Sequence, residues 1–177
     1  MPPPRFEARH PDRDWIKIWG RVASPALTPV GQSVAFLLVH EKIGTRLIGF
    51  RILPTRFDSD TCNRCWEGQE NQLHRYVGCS WVADAWAYLR YLLDRLELSI
   101  RGLRDYKVLN LDFQPVGNEV GVLWLLGAYL EFVEDHVVTH RRRITGHGLK
   151  GHLLFRKMAW KHRATPDPGL ILGLDTP

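Results

Sequence analysis

Apolar residues recur along most of this chain at the three- and four-residue spacing of amphipathic helices. The spacing is clearest over residues 81–98 and 119–140, and the second of these segments is the most apolar of the chain. A helix that is apolar on most of its faces is usually buried. The pattern therefore predicts a mostly α fold, with helices over residues 12–22, 29–42, 45–52, 81–98, 119–140 and 148–163.

Residues that favour helix ends support several of these boundaries. Thr28-Pro29 is typical of an N-cap followed by proline at the first helical position. Ser80 is a second N-cap candidate, and Pro54 ends the short third helix. Residues 106–113 are less clearly helical, and we predict an extended segment there. Residues 164–177 contain three prolines and two glycines, which predicts a flexible tail.

All three cysteines of the chain fall within 18 residues, with a histidine among them, in the pattern C-x2-C-x8-H-x4-C. Two thiolates separated by two residues can reach one ion from a tight turn, and a second pair completes a tetrahedral site. Thiolate and imidazole ligands favour zinc over magnesium or calcium. Because all four positions are filled, the pattern predicts a structural Zn²⁺ site rather than a catalytic one. The predicted ligands are Cys62, Cys65, His74 and Cys79.

Three other interpretations use the same residues. The cysteines could be unrelated to any metal. Cys62 and Cys65 could form a redox pair, although no βαβ pattern surrounds them. The same two cysteines could instead bind a metal together with His136 and His140, as in a zinc finger. That last arrangement needs a gap of about 70 residues, much longer than finger spacing, and leaves Cys79 unused.

A zinc knuckle at this point divides the chain into four segments. Residues 1–57 form an N-terminal helical segment, and residues 58–98 hold the knuckle and the helix after it. Residues 99–163 form a C-terminal helical segment with a basic surface, and residues 164–177 form the tail. The predicted fold class is thus a mostly α helical domain with one small structural zinc knuckle inserted between helices.

Positive charge is concentrated in the C-terminal helical segment. The chain carries a net charge of +5, but residues 140–163 hold eight Lys or Arg and no acid. Such a cluster is either a solvated helix face or a surface for a polyanion such as nucleic acid. Aromatic and arginine side chains on a knuckle can also stack on unpaired bases. The candidate nucleic-acid contacts are Arg64, Trp66, Arg75, Tyr76, Arg141, Arg142, Arg143, Lys150, Arg156 and Lys157.

Other function classes receive less support from the sequence. The longest apolar stretch, residues 120–130, is shorter than the roughly 20 residues of a membrane span, so no membrane partner is expected. The pairs Asp12/Asp14 and Asp58/Asp60 fit helix-cap and turn positions better than a hydrolase site. We therefore predict no catalytic residue and no enzyme activity. The odd cysteine count and the lack of a signal peptide predict an intracellular protein, in the nucleus or the cytoplasm.

The residues around the knuckle resemble the zinc-binding region that follows the polymerase in proteins of LINE-type (non-LTR) retrotransposons. The resemblance covers about residues 12–98. That region has a tryptophan-bearing helix, a T-R-x-L-like turn, a CCHC ligand set with an acidic residue before its histidine and an aromatic after it, and a second helix with tryptophan. In this chain the matching residues are Trp15, Trp19, Thr45-Arg46-Leu47, Cys62, Cys65, Glu70, His74, Tyr76, Cys79 and Trp86.

The resemblance implies an accessory role in reverse transcription. The knuckle would bind RNA or DNA, and the reverse transcriptase polypeptide would be a second partner. The chain contains no Tyr-x-Asp-Asp motif that could hold the two metals of a polymerase. The resulting hypothesis is a retrotransposon-derived zinc-knuckle protein that binds nucleic acid, an accessory element lacking the polymerase domain. The alternative is a zinc-stabilised helical scaffold for protein partners, without nucleic-acid binding.

Overall fold

The computed structural model describes residues 10–95, 104–113, 118–137 and 143–160, with side chains described as far as residue 157. These residues form α-helices and include a π-helical turn at His74–Gly78, and no β-strand occurs among them. The prediction of a mostly α fold is confirmed. The helices are α1 (Trp15–Val22), α2 (Pro29–Val39), α3 (Arg46–Ile52), α4 (Ala83–Arg95), α5 (Asp105–Leu109), α6 (Glu119–Asp135) and α7 (Gly146–Trp160).

The first three helices begin where the sequence supplies a side-chain cap. Asp14, Thr28 and Thr45 each accept a hydrogen bond from the backbone N–H three residues later, at 3.2, 3.1 and 3.4 Å. Each bond satisfies one of the donors that the first helical turn leaves without a partner. The predicted Thr28-Pro29 start is confirmed. Helix α1 starts at Trp15 rather than Asp12, because Asp14 occupies its cap position.

Helix α2 ends at Val39, three residues before its predicted end, in a left-handed turn. Glu41 has a φ of 56°, and its N–H donates to the Leu38 carbonyl at 2.9 Å. The N–H of Lys42 donates to the Leu37 carbonyl at 2.8 Å. This pair of bonds is a Schellman motif, which satisfies the last carbonyls of a helix and turns the chain away from its axis.

The extended segment predicted for residues 106–113 is wrong. Residues Asp105–Leu109 form α5, which ends in a second Schellman turn with a left-handed residue, Leu111, at φ 56°. The apolar side chains of Leu109, Leu111 and Phe113 alternate in sequence as they would in a strand. The turn at Leu111 nevertheless buries all three of them, so the alternating pattern reflects a turn packed on the core.

Helix α6 lies at the centre of the molecule. All ten residues from Gly121 to Leu130 are buried, which confirms the predicted burial of this segment. Helices α2, α4 and α7 all pack against it. Gly127 leaves room for the side chain of Leu27, which precedes α2, since a Cβ at position 127 would lie 2.5 Å from Cδ2 of Leu27. None of the helices within the described part of the chain, α6 included, is long and apolar enough to cross a membrane.

Helix α4 begins at Ala83, so Ser80 is not its N-cap. The Cys79 carbonyl accepts from the N–H groups of Val82 and Ala83, at 2.9 and 3.1 Å, and Ser80 lies inside that turn. Cys79 lies at the start of this turn, with its Sγ 3.8 Å from that of Cys62. Helix α4 is joined to α7 by a hydrogen bond of 2.7 Å from the Gly146 N–H to the Asp84 carboxylate.

Several predicted ends fall outside the described residues. These are the last turn of the helix predicted to Leu98, the segment from residue 138 to 142, and everything after Trp160, including the predicted tail over residues 164–177. Within the described residues, the buried side chains of the knuckle and of the flanking helices belong to one continuous apolar core, which includes Cys62, Tyr76 and Cys79.

Candidate metal centre

The first half of the cysteine segment is a tight turn closed by backbone hydrogen bonds. The Cys62 N–H donates to the Gly68 carbonyl at 2.8 Å, and the Trp66 N–H donates to the Cys62 carbonyl at 3.0 Å. A single antiparallel bridge pairs Thr61 with Gln69 at the base of the turn. Trp66 has a φ of 60°, and this left-handed residue reverses the chain. The two cysteines of the C-x2-C pair therefore face the same side.

The second half uses a π-helical turn to bring its two ligands together. The Asn71 side chain accepts from the His74 N–H at 2.8 Å, which caps the start of the turn. The Cys79 N–H then donates to the His74 carbonyl at 2.8 Å. This wide i→i+5 bond spaces His74 and Cys79 five residues apart on one side of the chain.

The four predicted ligands converge on one point. Their Sγ and imidazole nitrogen atoms all lie within 4.8 Å of one another. Cys62 Sγ and Cys79 Sγ are 3.8 Å apart, and Cys65 Sγ lies 3.3 Å from Nε2 of His74. Tetrahedral bonds of about 2.3 Å to sulfur and 2.0 Å to nitrogen would require separations of about 3.8 and 3.5 Å. The three thiols and one imidazole therefore fit a single metal ion.

The pKa values of the two buried thiols are shifted in opposite directions. Burial favours the neutral form of Cys62, but the backbone N–H groups of Cys65 and Arg64 hydrogen-bond its sulfur and lower its pKa to about 6. Burial raises the pKa of Cys79 to about 12, and the negative charge of Cys62 adds to this effect. One thiolate is thus favoured by the turn itself, whereas a second requires a nearby cation, as a metal ion provides.

Among the described residues, His136 does not join Cys62 and Cys65 in a metal-binding group. Cys62 and Cys65 are free thiols, and each lies close to a residue of the second pair, as metal ligands do. His136 is outside the ligand cluster, with its ring centroid 4.2 Å from that of Phe132 and its Nδ1 2.9 Å from the Phe132 carbonyl. His140 lies outside the described residues. Among the described side chains, the CCHC set is the group that could hold a metal.

A buried ionic network surrounds the metal centre, and the sequence did not predict it. Glu70 is only 2% exposed. Its carboxylate accepts from the guanidinium groups of Arg64 and Arg75 and from the backbone N–H of Arg46. The Arg75 bond measures 3.0 Å. Buried charges are tolerated when their polar atoms are paired in this way. Glu70 therefore stabilises the fold of the knuckle and has no carboxylate oxygen left for a bound ligand.

The same network attaches the knuckle to α6. Arg75 donates to Glu134 at 3.3 Å and to the Gly44 carbonyl at 2.9 Å. The Tyr76 hydroxyl donates to Glu134 at 2.6 Å, and the Tyr129 hydroxyl donates to the Tyr76 carbonyl. Burial and the adjacent Glu134 carboxylate raise the pKa of Tyr76 well above its usual value. The phenol therefore stays protonated and acts as a donor.

Arg75 and Tyr76, predicted as nucleic-acid contacts, are therefore buried structural residues. Arg75 is 6% exposed and Tyr76 is fully buried, so neither can reach a phosphate or a base at the surface. The other two candidates on the knuckle differ. The Arg64 side chain is largely buried, whereas Trp66 is 72% exposed.

Two of the predicted contacts on the basic helix are also buried. Arg156 lies with its guanidinium 5.5 Å from the Trp124 ring centroid and 3.6 Å from Glu131, and Lys157 is only 4% exposed. Helical spacing could have indicated this for Arg156, since it follows Leu149 and Leu153 on the inward face. Arg143 and Lys150 are exposed as predicted, and Arg141 and Arg142 lie outside the described residues.

No protein-family model, curated protein or solved structure matches the chain.

Proposed function

We propose that this protein is a zinc-knuckle protein that binds single-stranded or unpaired regions of RNA or DNA, derived from a non-LTR retrotransposon and acting as an accessory element of a reverse transcriptase. The observation that carries the proposal is the exposed indole of Trp66, which directly follows a metal-ligand cysteine. The retrotransposon origin rests on the sequence resemblance of residues 12–98.

Zinc is the proposed ion because of the donor set. Three thiols and one imidazole are soft or borderline ligands, and their separations suit a tetrahedral ion of zinc size. Since the cysteines and the histidine fill all four positions, the ion has no open site for a substrate water. Its role is therefore to fix the conformation of residues 62–79, and its binding free energy becomes folding free energy.

The conformation of Trp66 supports a role in recognition. A left-handed residue with a bulky side chain costs about 1–2 kcal/mol, and glycine would occupy the same position without that cost. This turn nevertheless has tryptophan at the left-handed position, and the ring is exposed instead of packing the small core. An aromatic ring on a rigid turn can stack on an unpaired base, which contributes about 1–3 kcal/mol per base.

Phosphate contacts in this proposal come from the exposed cations. Arg143 and Lys150 remain candidates on the C-terminal basic segment. Arg51 adds one exposed guanidinium group in α3. Because phosphate binding releases counterions, the affinity should fall steeply as salt concentration rises.

The test is the binding of fluorescein-labelled single-stranded RNA and DNA to the zinc-loaded protein, measured by fluorescence anisotropy. We expect Trp66→Gly to bind about tenfold or more weakly than wild type, while zinc content is kept and stability rises by up to about 1 kcal/mol. Tyr91→Ala is the matched control, since Tyr91 is a 53% exposed aromatic on α4. Binding that is absent, independent of salt or unchanged in Trp66→Gly contradicts the proposal.

The alternative function, a scaffold for a protein partner, is favoured by helix α3. None of its residues is buried, although most are apolar, and Phe50, Ile52 and Leu53 are 37%, 69% and 48% exposed at its end. Exposed apolar clusters of this kind often mark protein interfaces. Sedimentation analysis of wild type and Ile52→Glu tests it: concentration-dependent self-association that the charge abolishes would support this function.

A further inference from the structure

A recess of about 520 Å³ opens beside the knuckle. It lies between the start of α3, the Cys62–Cys65 turn and Trp81, which precedes α4. Its volume is within the range of about 300–1,000 Å³ that is common for small-ligand pockets. The residues that matter for its chemistry are Arg46, Arg64, Arg75, Phe57, Trp81 and Asn63.

The lining of the recess is cationic. Three arginines and one acid, Glu70, are among its residues, so their formal charge is +2. The Glu70 carboxylate already accepts from Arg64, Arg75 and the backbone of Arg46. It therefore neutralises part of this charge without offering a free acceptor to a ligand. Asp58 and Glu134, which pair with Arg46 and Arg75 from outside the lining, offset the rest, so a ligand would be held by guanidinium donors rather than by net charge.

Two of these arginines have donors without a protein acceptor. The Nε groups of Arg46 and Arg64 are buried and make no hydrogen bond within the described part of the chain. Buried N–H groups are nearly always paired with protein, water or a ligand. Arg46 is held in place by a 2.6 Å bond to Asp58 and Arg64 by its bond to Glu70. The recess is thus lined by two arginines that keep unused donors, and guanidinium donors suit an anion with several acceptor oxygens.

The recess also has aromatic walls. The Phe57 ring lies directly against α3 at Gly49, where a Cβ would come within 2.7 Å of its Cζ atom. The Arg46 guanidinium lies 6.0 Å from the centroid of the same ring. Trp81, at the start of the path into α4, is partly buried and provides a second aromatic surface. Guanidinium donors beside aromatic rings suit a ligand that has both an anionic group and a flat ring.

We propose that this recess receives one unpaired nucleotide of a single strand, with its phosphate bound by Arg46 and Arg64 and its base against Phe57 and Trp81. The inference rests on the proposed function and specifies where the strand is held. A base in a duplex is stacked and paired and cannot enter such a recess. A single strand or a bulge can present one nucleotide in isolation.

The first experiment compares Arg46→Gln with Arg56→Gln in the anisotropy assay. Both changes remove one arginine charge from the same short region, but Arg56 is exposed and does not line the recess. Asp58, the partner of Arg46, is itself 90% exposed, so this pair contributes little to stability. We expect Arg46→Gln to weaken single-strand binding about five- to tenfold and to lower the salt slope by about 0.7. Arg56→Gln should change binding less than twofold.

A second experiment uses a 5′-mononucleotide and its nucleoside, followed by NMR on the zinc-loaded protein. We expect the mononucleotide to shift the indole N–H signal of Trp81 and the Nε–H signals of Arg46 and Arg64, while the nucleoside shifts them much less. Gly49→Ala keeps every charge but displaces the Phe57 ring, and it should weaken the mononucleotide about threefold or more. Zinc content and thermal melting show whether each variant is folded.

The outcomes separate the two proposals. Single-strand binding that is lost selectively in Arg46→Gln supports the recess. Strong binding that is equal in Arg46→Gln and Arg56→Gln, with mononucleotide shifts absent from the recess, overturns it and leaves the proposed function standing. No binding to any single strand or mononucleotide overturns both.

Discussion

The knuckle and helix α6 are stabilised in opposite ways. From Gly121 to Leu130, α6 buries ten consecutive residues, so apolar burial and close packing stabilise it. The segment from Cys62 to Cys79 has few apolar residues, and it contains instead four side chains that could hold a metal ion and the buried Glu70 carboxylate. Its own apolar surface is too small to fix so many residues, so in our proposal its conformation depends on the bound ion and on paired charges.

The two regions are joined by hydrogen bonds: Glu134 of α6 accepts from Arg75 and Tyr76 of the π-helical turn, and Tyr129 of α6 donates to the Tyr76 carbonyl. These bonds indicate that the knuckle is not an independent module attached to a helical domain. Its folding should depend on the core, whereas the core should survive loss of the ion. Four substitutions test this asymmetry, from the largest expected effect to the smallest.

Trp124→Ala should have the largest effect. Trp124 is fully buried in α6, and removing a buried tryptophan side chain costs about 3–5 kcal/mol. We expect the free energy of unfolding, measured by urea titration with zinc present, to fall by that amount. Zinc affinity should fall as well, since the knuckle is hydrogen-bonded to Glu134 and Tyr129 of the same helix. Trp124→Phe is the milder control, and tight zinc binding by an unfolded Trp124→Ala chain would show that the knuckle is independent after all.

Glu70→Gln should be nearly as severe, but its effect should be confined to the knuckle. The change leaves the buried guanidinium groups of Arg64 and Arg75 without their shared anion, and breaking a buried ion pair costs about 3–5 kcal/mol. Competition with a metal-binding dye should show a much weaker zinc affinity. Glu67→Gln is the control, because Glu67 is an exposed acid on the same turn. Equal zinc affinities of the two variants would show that the network does not support the metal centre.

Tyr76→Phe tests the connection itself. It deletes the 2.6 Å bond to Glu134 but keeps the ring, and a hydrogen bond to a charged group contributes about 1.5–3 kcal/mol. We expect the zinc-loaded protein to lose about that much stability, with hydrogen exchange rising first in the knuckle. The companion change Tyr129→Phe removes the neighbouring bond to the Tyr76 carbonyl. A larger exchange increase in α6 than in the knuckle would contradict the proposed order of stability.

Substitution of His152 in α7 should have the smallest effect on stability, and this effect should depend on pH. Burial, followed by the positive charge of Arg156, lowers its pKa from 6.5 to about 4, although Asp135 acts in the opposite direction. The folded state therefore keeps the ring neutral, while the unfolded chain takes up a proton below pH 6.5. The stability from this residue is complete above pH 6.5 and is lost as the pH falls to about 4.

Because part of the His152 ring is exposed, we expect a contribution of about 1–2 kcal/mol. Urea titrations of wild type and His152→Gln at pH 7 and pH 5 measure it. Acid also weakens zinc binding, but it does so in both proteins, so the difference between them isolates the histidine. Identical pH dependence of the two proteins would show that His152 is not held neutral.

The ligand set could be predicted from the sequence because metal coordination constrains spacing directly. The Thr28 cap could also be predicted, because it depends only on neighbouring residues in the sequence. The network of Glu70, Arg75 and Tyr76 could not be predicted in this way. Its partners, Gly44 and Glu134, are distant in sequence, and an arginine or a tyrosine beside a ligand looks the same whether it faces solvent or the core. The extended segment predicted for residues 106–113 was wrong for a similar reason. Apolar residues that alternate in sequence can be buried by a turn, here at Leu111, as well as by a strand.

The most direct test is the metal content of purified wild type and Cys79→Ser by elemental analysis, combined with amide hydrogen exchange before and after chelation. We predict one zinc per wild-type chain and much less in the variant. Chelation should remove exchange protection from residues 61–79, while residues 121–133 of α6 keep theirs. A wild-type protein that contains no metal, yet protects the amides of residues 61–79 as strongly as those of α6, would contradict the account.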